Sequence, residues 1–270
     1  MCQYCFACFD ALNIYWFKIV QIFYICIKYR HMPEIKISKT GHSADQCQCE
    51  NCVMRNLITS YVPEEDNDVL CRVRRQKSFK KGEIIVKQGD PIIDFFYIKS
   101  GIVKLSATTE SQRTHIISIA KPHDYISLLT VFHGKQYAYT MTAIEYTEIC
   151  IFPLNLIIDM AMRYGNLAIG LLKKSSKTSD DIIDRFVQNN SRNLRGRIAM
   201  TLLDFSKEIY KSRIFELPIS RKEIAELIGM TTENVIRILS EFKKEEIIRI
   251  EGKEIEILDF ERLQLISDRG

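Results

Sequence analysis

A dense group of cysteines is the first feature of this sequence that could carry chemistry. Cys47, Cys49 and Cys52 lie within the short stretch DQCQCENC. Thiolates at such close spacing bind zinc or an iron–sulphur cluster, and four of them complete either kind of site. The alternative is a set of incidental thiols, and the rest of the chain has to decide between the two.

A second pair of interest, Glu233 and Arg237, stands in the last part of the chain. Arginine can donate two parallel hydrogen bonds to guanine O6 and N7, and glutamate can accept one from cytosine N4. Because they are four residues apart on a helix, the carboxylate can also orient the guanidinium. The pair predicts contact with DNA base edges, and the alternative is an ordinary surface ion pair on a packing helix.

Two short helices joined by a tight turn are predicted to position this pair. Ser220 and Glu223 form a capping-box pattern that begins the first helix, Gly229 ends it, and Thr231 begins the second. Residues with helical spacing give the second helix one buried face: Val235, Ile238, Leu239 and Phe242. A β-hairpin is predicted around Glu251-Gly252-Lys253.

This pattern is that of a winged helix-turn-helix, whose second helix fits the major groove of DNA. The residues expected to read bases are Thr232, Glu233, Ile236 and Arg237. The residues expected to contact the DNA backbone are Ser220, Arg221, Lys222 and Thr231.

The composition is globular, with 270 residues of which 46% are hydrophobic and 27% charged. The net charge is only +4, and residues 191–270 hold 15 Lys+Arg against 15 Asp+Glu, so contact with nucleic acid must come from local placement of charge. The nine cysteines stop at Cys150, which argues against a secreted disulfide framework and for a reducing cytoplasm. We find no catalytic constellation in the sequence and do not expect an enzyme.

Residues 1–31 are apolar and aromatic, and three interpretations of them stay open. Translation could begin at Met32, which a polar stretch follows. Residues 11–27 could associate with a membrane, although Lys18 and Gln21 interrupt a segment that is already short for a bilayer span. They could also form a helix without an assigned position. We expect no stable membrane association.

The middle of the chain divides into a strand-rich part and a helical part. Residues 79–152 contain short β-branched and aromatic runs separated by turns, which is typical of a small antiparallel barrel or sandwich. After Pro153 the pattern becomes helical. Between residues 165 and 189, two apolar groups flank the polar stretch KKSSKTSDD, which fits either a solvent-facing middle or a seam between two helices whose serines allow close approach: Ser175, Ser176 and Ser179.

This order of parts resembles the Crp/Fnr family of bacterial transcription regulators. The resemblance covers about residues 50–260 and is carried by FKKGEIIVKQGDPIIDFFYIKSGIVKL, LRGRIAMTLLDFSK and ISRKEIAELIGMTTENVIRILSEF. It implies an α+β fold with an N-terminal antiparallel β-roll of the cyclic-nucleotide-binding kind, a long dimerisation helix and a C-terminal winged helix-turn-helix. The corresponding boundaries are 1–52 for an N-terminal extension, 53–160 for the β-roll, 161–189 for the dimerisation helix and 190–270 for the DNA-binding domain.

The resemblance also implies the partners. The family forms homodimers that bind double-stranded DNA at an inverted repeat with a TGA-type core and act with RNA polymerase. Its Glu-x3-Arg pair matches Glu233 and Arg237 here. Fnr-like members usually carry Ser where this chain has Ile236, and Crp-like members usually carry Arg where it has Thr232. The outer bases of each half-site therefore stay open.

The resemblance makes cyclic AMP a poor fit as the effector. Family members that bind it carry Gly-Glu in one β-roll turn and Arg-Ser some ten residues later. This chain has Ser127-Leu128 and Ala138-Tyr139 in those places, and residues 123–143 contain no arginine. A buried phosphate without a guanidinium would be an uncompensated charge, so we do not expect cyclic AMP to bind.

The cysteines gain one further interpretation from the resemblance. Oxygen-sensing Fnr proteins hold an iron–sulphur cluster with three N-terminal cysteines and one central cysteine. AIEYTEICIFP resembles the central segment and places Cys150 there, while Cys49 and Cys52 resemble the N-terminal CxxC. The next cysteine of the family falls on Ile58, so Cys47 or Cys71 would have to replace it. The candidate ligands are thus Cys47, Cys49, Cys52 and Cys150, and a cluster, zinc and incidental or redox-active thiols stay open.

The favoured function is a sequence-specific, DNA-binding transcription regulator in the cytoplasm. Its signal is not identified by the sequence, with redox state or oxygen as the candidate. Two alternatives remain: a metal- or cluster-carrying redox protein, and a cyclic-nucleotide-binding regulatory module.

Overall fold

The structure is a computed structural model that describes residues 60–270. Its first half consists of a short helix followed by seven strands: α1 (Glu64–Val73), β1 (Arg75–Phe79), β2 (Ile84–Val86), β3 (Asp94–Ser100), β4 (Val103–Thr108), β5 (Thr114–Ala120), β6 (Thr140–Ala143) and β7 (Thr147–Pro153). Its second half is mostly helical: α2 (Leu154–Arg163), α3 (Gly165–Ser191), α4 (Leu194–Asp204), a π-helical segment (Phe205–Tyr210), β8 (Ile214–Glu216), α5 (Arg221–Ile228), α6 (Thr232–Lys244), β9 (Ile248–Glu251), β10 (Glu254–Ile257) and α7 (Phe260–Arg269).

The seven N-terminal strands form a β-roll of two antiparallel sheets. One sheet has the order β1-β7-β3 and the other the order β2-β6-β4-β5. The two sheets bury one shared core of apolar side chains, among which Ile98, Val103, Met141 and Ile149 have no exposed surface. The β-branched and aromatic runs of the sequence form this fold because each strand places such residues on the inner face of its sheet.

Gly101 makes the tight connection between β3 and β4 possible. Its φ angle is +85°, and a Cβ atom there would lie 2.4 Å from the carbonyl oxygen of Tyr146. Only glycine combines this backbone conformation with so close an approach. The turn therefore sets the start of β4, the strand that later contacts the C-terminal domain.

Two helices, and not one, follow the β-roll. The backbone of Tyr164 is extended, with φ −117° and ψ 91°, and it separates α2 from α3. The expected dimerisation helix at residues 161–189 corresponds to α3, which runs from Gly165 to Ser191. The expected start lies earlier because the helical apolar pattern of α2 continues into that of α3 without a proline.

The C-terminal domain is built on the helix pair α5 and α6, with a three-stranded antiparallel sheet of order β8-β10-β9 beside it. Strands β9 and β10 form the predicted hairpin, with Gly252 at a φ of +61° in its turn. The predicted fold class, a β-roll followed by a long helix and a winged helix-turn-helix, is confirmed. Within residues 60–270, no helix combines the length and apolar character needed to cross a bilayer. The predicted extension at residues 1–52 lies outside the described residues.

The β-roll packs directly against the C-terminal domain. Ile102, Ile116 and Ile144 of the β-roll belong to the same buried cluster as the apolar residues of α5 and α6. Helix α4 follows α3 in the chain, and the guanidinium of Arg185 in α3 lies 3.0 Å from the carboxylate of Asp204 in α4. Burial raises the pKa of Asp204 even though Arg185 opposes that shift.

Candidate nucleic-acid interface

The orientation of α6 is fixed by its buried face. Val235, Ile238, Leu239 and Phe242 are all buried, and three of them have no exposed surface. Thr231 caps the helix, since its hydroxyl oxygen accepts a hydrogen bond from the Asn234 amide at 3.3 Å. Both features were predicted from the sequence and are confirmed. Together they decide which side chains of α6 face the solvent.

The opposite face of α6 carries the residues expected to read bases. Glu233, Ile236 and Arg237 are exposed, and Thr232 is half-buried at the first turn. The Ile236 side chain is 52% exposed, which leaves an apolar contact available beside the two charged groups. The structure therefore places the four candidate residues on one side of a single helix.

The charge of Glu233 is stabilised by its position at the start of α6. Interaction of its carboxylate with its own amide and with the Thr231 hydroxyl lowers the pKa of Glu233. Unpaired amides at a helix N-terminus favour a negative charge in this way. Glu233 is thus an ionised acceptor, as contact with a cytosine amino group requires.

The predicted partnership of Glu233 with Arg237 is wrong in this structure. The Arg237 Nη1 atom donates to Glu241 Oε1 at 2.5 Å, and its Nη2 atom donates to Asn234 Oδ1 at 3.4 Å. Both Glu233 and Glu241 are four residues from Arg237, so spacing alone could not distinguish them. Glu241 is the glutamate that pairs with Arg237 in the structure.

Helix α5 begins and ends as the sequence predicts. The Ser220 hydroxyl oxygen accepts from the Glu223 amide at 3.2 Å, and the Ser220 amide donates to Glu223 Oε2 at 2.8 Å, which completes the capping box. Gly229 ends the helix in the left-handed conformation with φ +65°. This short helix supports α6 and holds the side chains expected to meet the DNA backbone.

Those side chains differ in their freedom to reach a phosphate. The Lys222 ammonium is exposed and lies 3.9 Å from Glu226, a loose ion pair. Arg221 instead donates to the carbonyl oxygen of Gly252 at 2.9 Å and so ties α5 to the turn of the hairpin. Ser220 and Thr231 are both exposed at the ends of the turn-forming helices, with their hydroxyl groups engaged in the caps.

A contact that the sequence did not reveal joins this interface to the β-roll. The Lys104 ammonium of β4 donates to Glu223, the glutamate of the capping box. Burial raises the pKa of Glu223, but the bonds from Lys104 and Ser220 outweigh burial and leave the pKa below its ordinary value. The two residues are 119 positions apart, so no local pattern could have indicated the pair.

Comparison with known proteins agrees with this arrangement. A family model described as a Crp-like helix-turn-helix domain matches residues 196–266, and one described as a cyclic nucleotide-binding domain matches residues 76–164. The chain belongs to the Crp/Fnr family of transcription regulators. The matched regions contain every described residue that we expected to contact DNA.

Individual Crp/Fnr proteins are similar over most of the chain. The transcriptional activator protein FnrA of Stutzerimonas stutzeri is 27% identical over 220 residues, which cover 79% of this chain and 90% of FnrA. The anaerobic regulatory protein of Pasteurella multocida is 24% identical, with 91% of this chain and 92% of that protein covered. The structure of FixK2 from Bradyrhizobium japonicum superposes with a TM-score of 0.65 at 21% identity, covering 72% of this chain and 98% of FixK2.

Two of the residues that the resemblance aligns with the effector position of cyclic-AMP binders are bonded within the β-roll. Ser127 and Leu128 are buried, and the Ser127 hydroxyl oxygen accepts from the Phe96 amide at 3.0 Å. The Tyr139 hydroxyl donates to the carbonyl oxygen of Ile126 at 2.9 Å, and burial raises the pKa of Tyr139 to about 12. Ala138, which stands where the arginine would be, is exposed and carries no charge.

One of the four candidate cysteine ligands can be located. Cys150 lies in β7 with no exposed surface, and the Arg74 guanidinium donates to its Sγ atom at 3.5 Å. Cys47, Cys49 and Cys52 lie outside the described residues. Residues 60–270 contain two cysteines, Cys71 and Cys150, so a four-thiolate site would have to draw on the CxxC segment. The ligand set remains a prediction.

The Lys104–Glu223 contact gives a prediction for stability. Replacing Glu223 with glutamine should lower the free energy of unfolding by about 1–2 kcal/mol near pH 7, because the capping box and the ion pair are both weakened. The folded-state pKa of Glu223 is lower than its ordinary value of 4.5. Its stabilisation is therefore present above that value and is lost as the pH falls through the lowered pKa.

Urea denaturation at a series of pH values checks this prediction. The difference between wild type and Glu223→Gln should narrow as the solution is acidified below the ordinary glutamate pKa. Glu226→Gln on the same helix is the matched control and should cost little, since its ion pair is loose. A difference between wild type and Glu223→Gln that stays constant across the whole acid range would contradict the assignment.

Proposed function

We propose that this Crp/Fnr regulator acts as a homodimer that binds an inverted-repeat DNA site and responds to a redox signal. The observation that carries the proposal is the solvent-facing row on α6, where Glu233, Ile236 and Arg237 lie opposite a fully buried stripe. In this architecture, α6 lies in the major groove and its N-terminal residues meet the base edges.

Dimerisation is supported by an unpaired apolar stripe on α3. Its residues follow the alternating three- and four-residue spacing of a coiled-coil seam: Ile169, Leu172, Ser176, Ser179, Ile183 and Phe186. The four large side chains are between 51% and 67% exposed in the single chain. A second copy would cover them, and the small serines at the centre would let the helices approach closely. The solvent-facing alternative leaves this exposure unexplained.

A two-fold dimer sets the form of the DNA site. Each α6 would occupy one half-site, and the two half-sites would be one helical turn apart, about 34 Å. Glu233 and Arg237 would read a TGA-type core in each half, with Thr232 and Ile236 beside them. Of the four residues expected to contact the DNA backbone, Lys222 has the most freedom to meet a phosphate, because it is exposed and only loosely paired. RNA polymerase is the expected partner of the bound dimer.

The contact between the β-roll and the C-terminal domain supports a route for the signal. Lys104 reaches the capping box that positions Ser220, Arg221 and Lys222, and Ile102 and Ile116 pack into the core of the same domain. A change in the β-roll that shifts β4 or β5 would therefore change the pose of α5 and α6. The β-roll can bias DNA affinity in this way only if the signal favours one of the two poses.

We propose that this signal is a redox change sensed by cysteine thiols, and not a cyclic nucleotide. The internal bonds of Ser127 and Tyr139 and the lack of an arginine in residues 123–143 oppose cyclic nucleotide binding. The name of the Pasteurella multocida relative is that of an anaerobic regulator. Cys150 lies in β7, and the Arg74 guanidinium donates to its Sγ atom at 3.5 Å.

A first prediction concerns the dimer. Ile183→Glu or Phe186→Glu should convert the protein to monomers, because each places a charge in the apolar seam where its partner copy would bury it. Sedimentation velocity of the purified chain measures the result. Gln188→Glu adds the same charge to α3 at an exposed position outside the stripe and should leave the dimer intact. If the two seam variants sediment as the wild type does, the seam is not on α3.

A second prediction concerns base reading. Arg237→Ala should weaken binding to a duplex with an inverted TGA repeat by about 1–3 kcal/mol and should relax discrimination at one base pair of each half-site. Fluorescence anisotropy titrations with single-base-pair variants of the repeat measure both effects. Arg269→Ala removes an equal charge from the exposed end of α7 and is the matched control. Equal losses on the repeat and on random duplex would remove Arg237 from base reading.

A third prediction concerns the signal. Protein prepared without oxygen should bind the inverted repeat with a different affinity from protein exposed to air, and Cys49→Ala or Cys52→Ala should abolish that difference. Visible absorbance and metal analysis of the anaerobic samples report whether a cluster, zinc or neither accompanies the effect. Cys26→Ala, outside the candidate set, should behave as wild type. An air-independent affinity of the wild type would dismiss the redox signal.

A further inference from the structure

The base-reading candidate Arg237 is held by a glutamate that no part of the proposed function uses. Glu241 Oε1 accepts from Arg237 Nη1 at 2.5 Å, while Asn234 Oδ1 takes one hydrogen from Nη2. Guanidinium has five N–H donors in a fixed plane. Two of the five Arg237 donors are engaged by Glu241 and Asn234, so three N–H groups remain for other partners. The two bonds together restrict the orientation of the guanidinium plane.

Glu241 is itself fixed by a residue of another helix. Its Oε2 atom accepts from Arg195 Nη1 of α4 at 2.8 Å, so each carboxylate oxygen holds a different arginine. Arg195 also binds both carboxylate oxygens of Glu245, at 2.9 and 3.0 Å, and its guanidinium lies 4.9 Å from the centre of the Phe242 ring. These contacts leave Arg195 little freedom, and it transmits that restraint to Glu241.

Helix stability does not account for the pair. In Arg237–Glu241 the cation precedes the anion, which is the less favourable order relative to the helix dipole. An exposed pair of this kind contributes at most a few tenths of a kcal/mol to folding. A negative charge near the DNA-facing surface also opposes the approach of phosphates. A role in setting the geometry of Arg237 fits these facts better.

We propose that Glu241 is a positioning residue for specificity, which orients the Arg237 guanidinium for its contact with a base pair and is itself held by Arg195. The proposal rests on the proposed function, because it concerns how Arg237 reads DNA. Glu241 does not touch the DNA in this scheme. Glu241 limits the directions in which Arg237 can donate hydrogen bonds. The correct base is therefore bound more favourably than an incorrect one.

Glu241→Gln tests the proposal, since it keeps the size of the side chain and removes its charge. Affinities of the full chain would be measured for three duplexes: an inverted TGA repeat, the same repeat with the Arg237-sensitive base pair exchanged in both halves, and a random sequence. Discrimination is defined as the affinity for the inverted TGA repeat divided by the affinity for the repeat with the exchanged base pair. Glu256→Gln, which breaks the Arg249 pair on the hairpin, is the matched control for charge.

We expect Glu241→Gln to lower the discrimination ratio roughly three- to tenfold. Its affinity for random duplex should rise about twofold, because one negative charge near the phosphates is gone. Glu256→Gln should leave the ratio unchanged. In an Arg237→Ala background, adding Glu241→Gln should cause no further fall in the ratio, which separates positioning of Arg237 from a general effect on the fold.

Arg195→Gln provides a second variant in case Glu241→Gln perturbs folding. It leaves the Arg237–Glu241 bond but frees Glu241, so the ratio should fall by less than in Glu241→Gln. An unchanged or increased ratio in Glu241→Gln would overturn the proposal, as would an equal fall in the Arg237→Ala background. If the wild type does not discriminate between the duplexes, the proposed function itself fails. If the wild type discriminates but the variants do not show the expected ratios, only the proposed role of Glu241 fails.

Discussion

The buried stripe of α6 is the constraint on which the C-terminal half of this protein depends. Val235, Ile238 and Phe242 have no exposed surface, and fully burying side chains of this size is worth about 1.5–3 kcal/mol each. Rotation of α6 about its axis would expose them, so the helix has one orientation. The row of Glu233, Ile236 and Arg237 faces the solvent as a consequence. Ionic contacts adjust the direction of those side chains, but the buried stripe determines which face of α6 is exposed to solvent.

The carboxylate of Glu223 contributes to two structures at once, the start of α5 and the contact of this domain with the β-roll. Glu223 completes the capping box of α5 and at the same time accepts from Lys104 of β4. The start of α5 is therefore stabilised partly by its own local sequence and partly by the neighbouring domain. Such shared groups couple two parts of a protein, because moving one part removes a partner from the other. Ile102, Ile116 and Ile144 of the β-roll add apolar contacts to the same interface, because they belong to the buried cluster of the C-terminal domain.

Local features of the fold could be predicted from the sequence because their causes are local. The Ser220 capping box, the left-handed Gly229 and the spacing of the α6 stripe each depend on residues within about two turns of helix. The predicted partner of Arg237 was wrong because Glu233 and Glu241 lie at the same spacing from it, and the contact that holds Glu241 comes from Arg195 on another helix. The pairs Lys104–Glu223 and Arg195–Glu241 join residues 119 and 46 positions apart, and no pattern in one sequence indicates them.

The pairing of arginines within the DNA-facing domain bears on how the protein finds its site. Arg195, Arg237 and Arg262 each lie against a glutamate, and acidic and basic residues are equal in number over residues 191–270. Long-range attraction to phosphates and residence on random sequence both depend on unneutralised positive charge. One-dimensional sliding along the duplex should thus be brief, and repeated three-dimensional encounters should dominate the search.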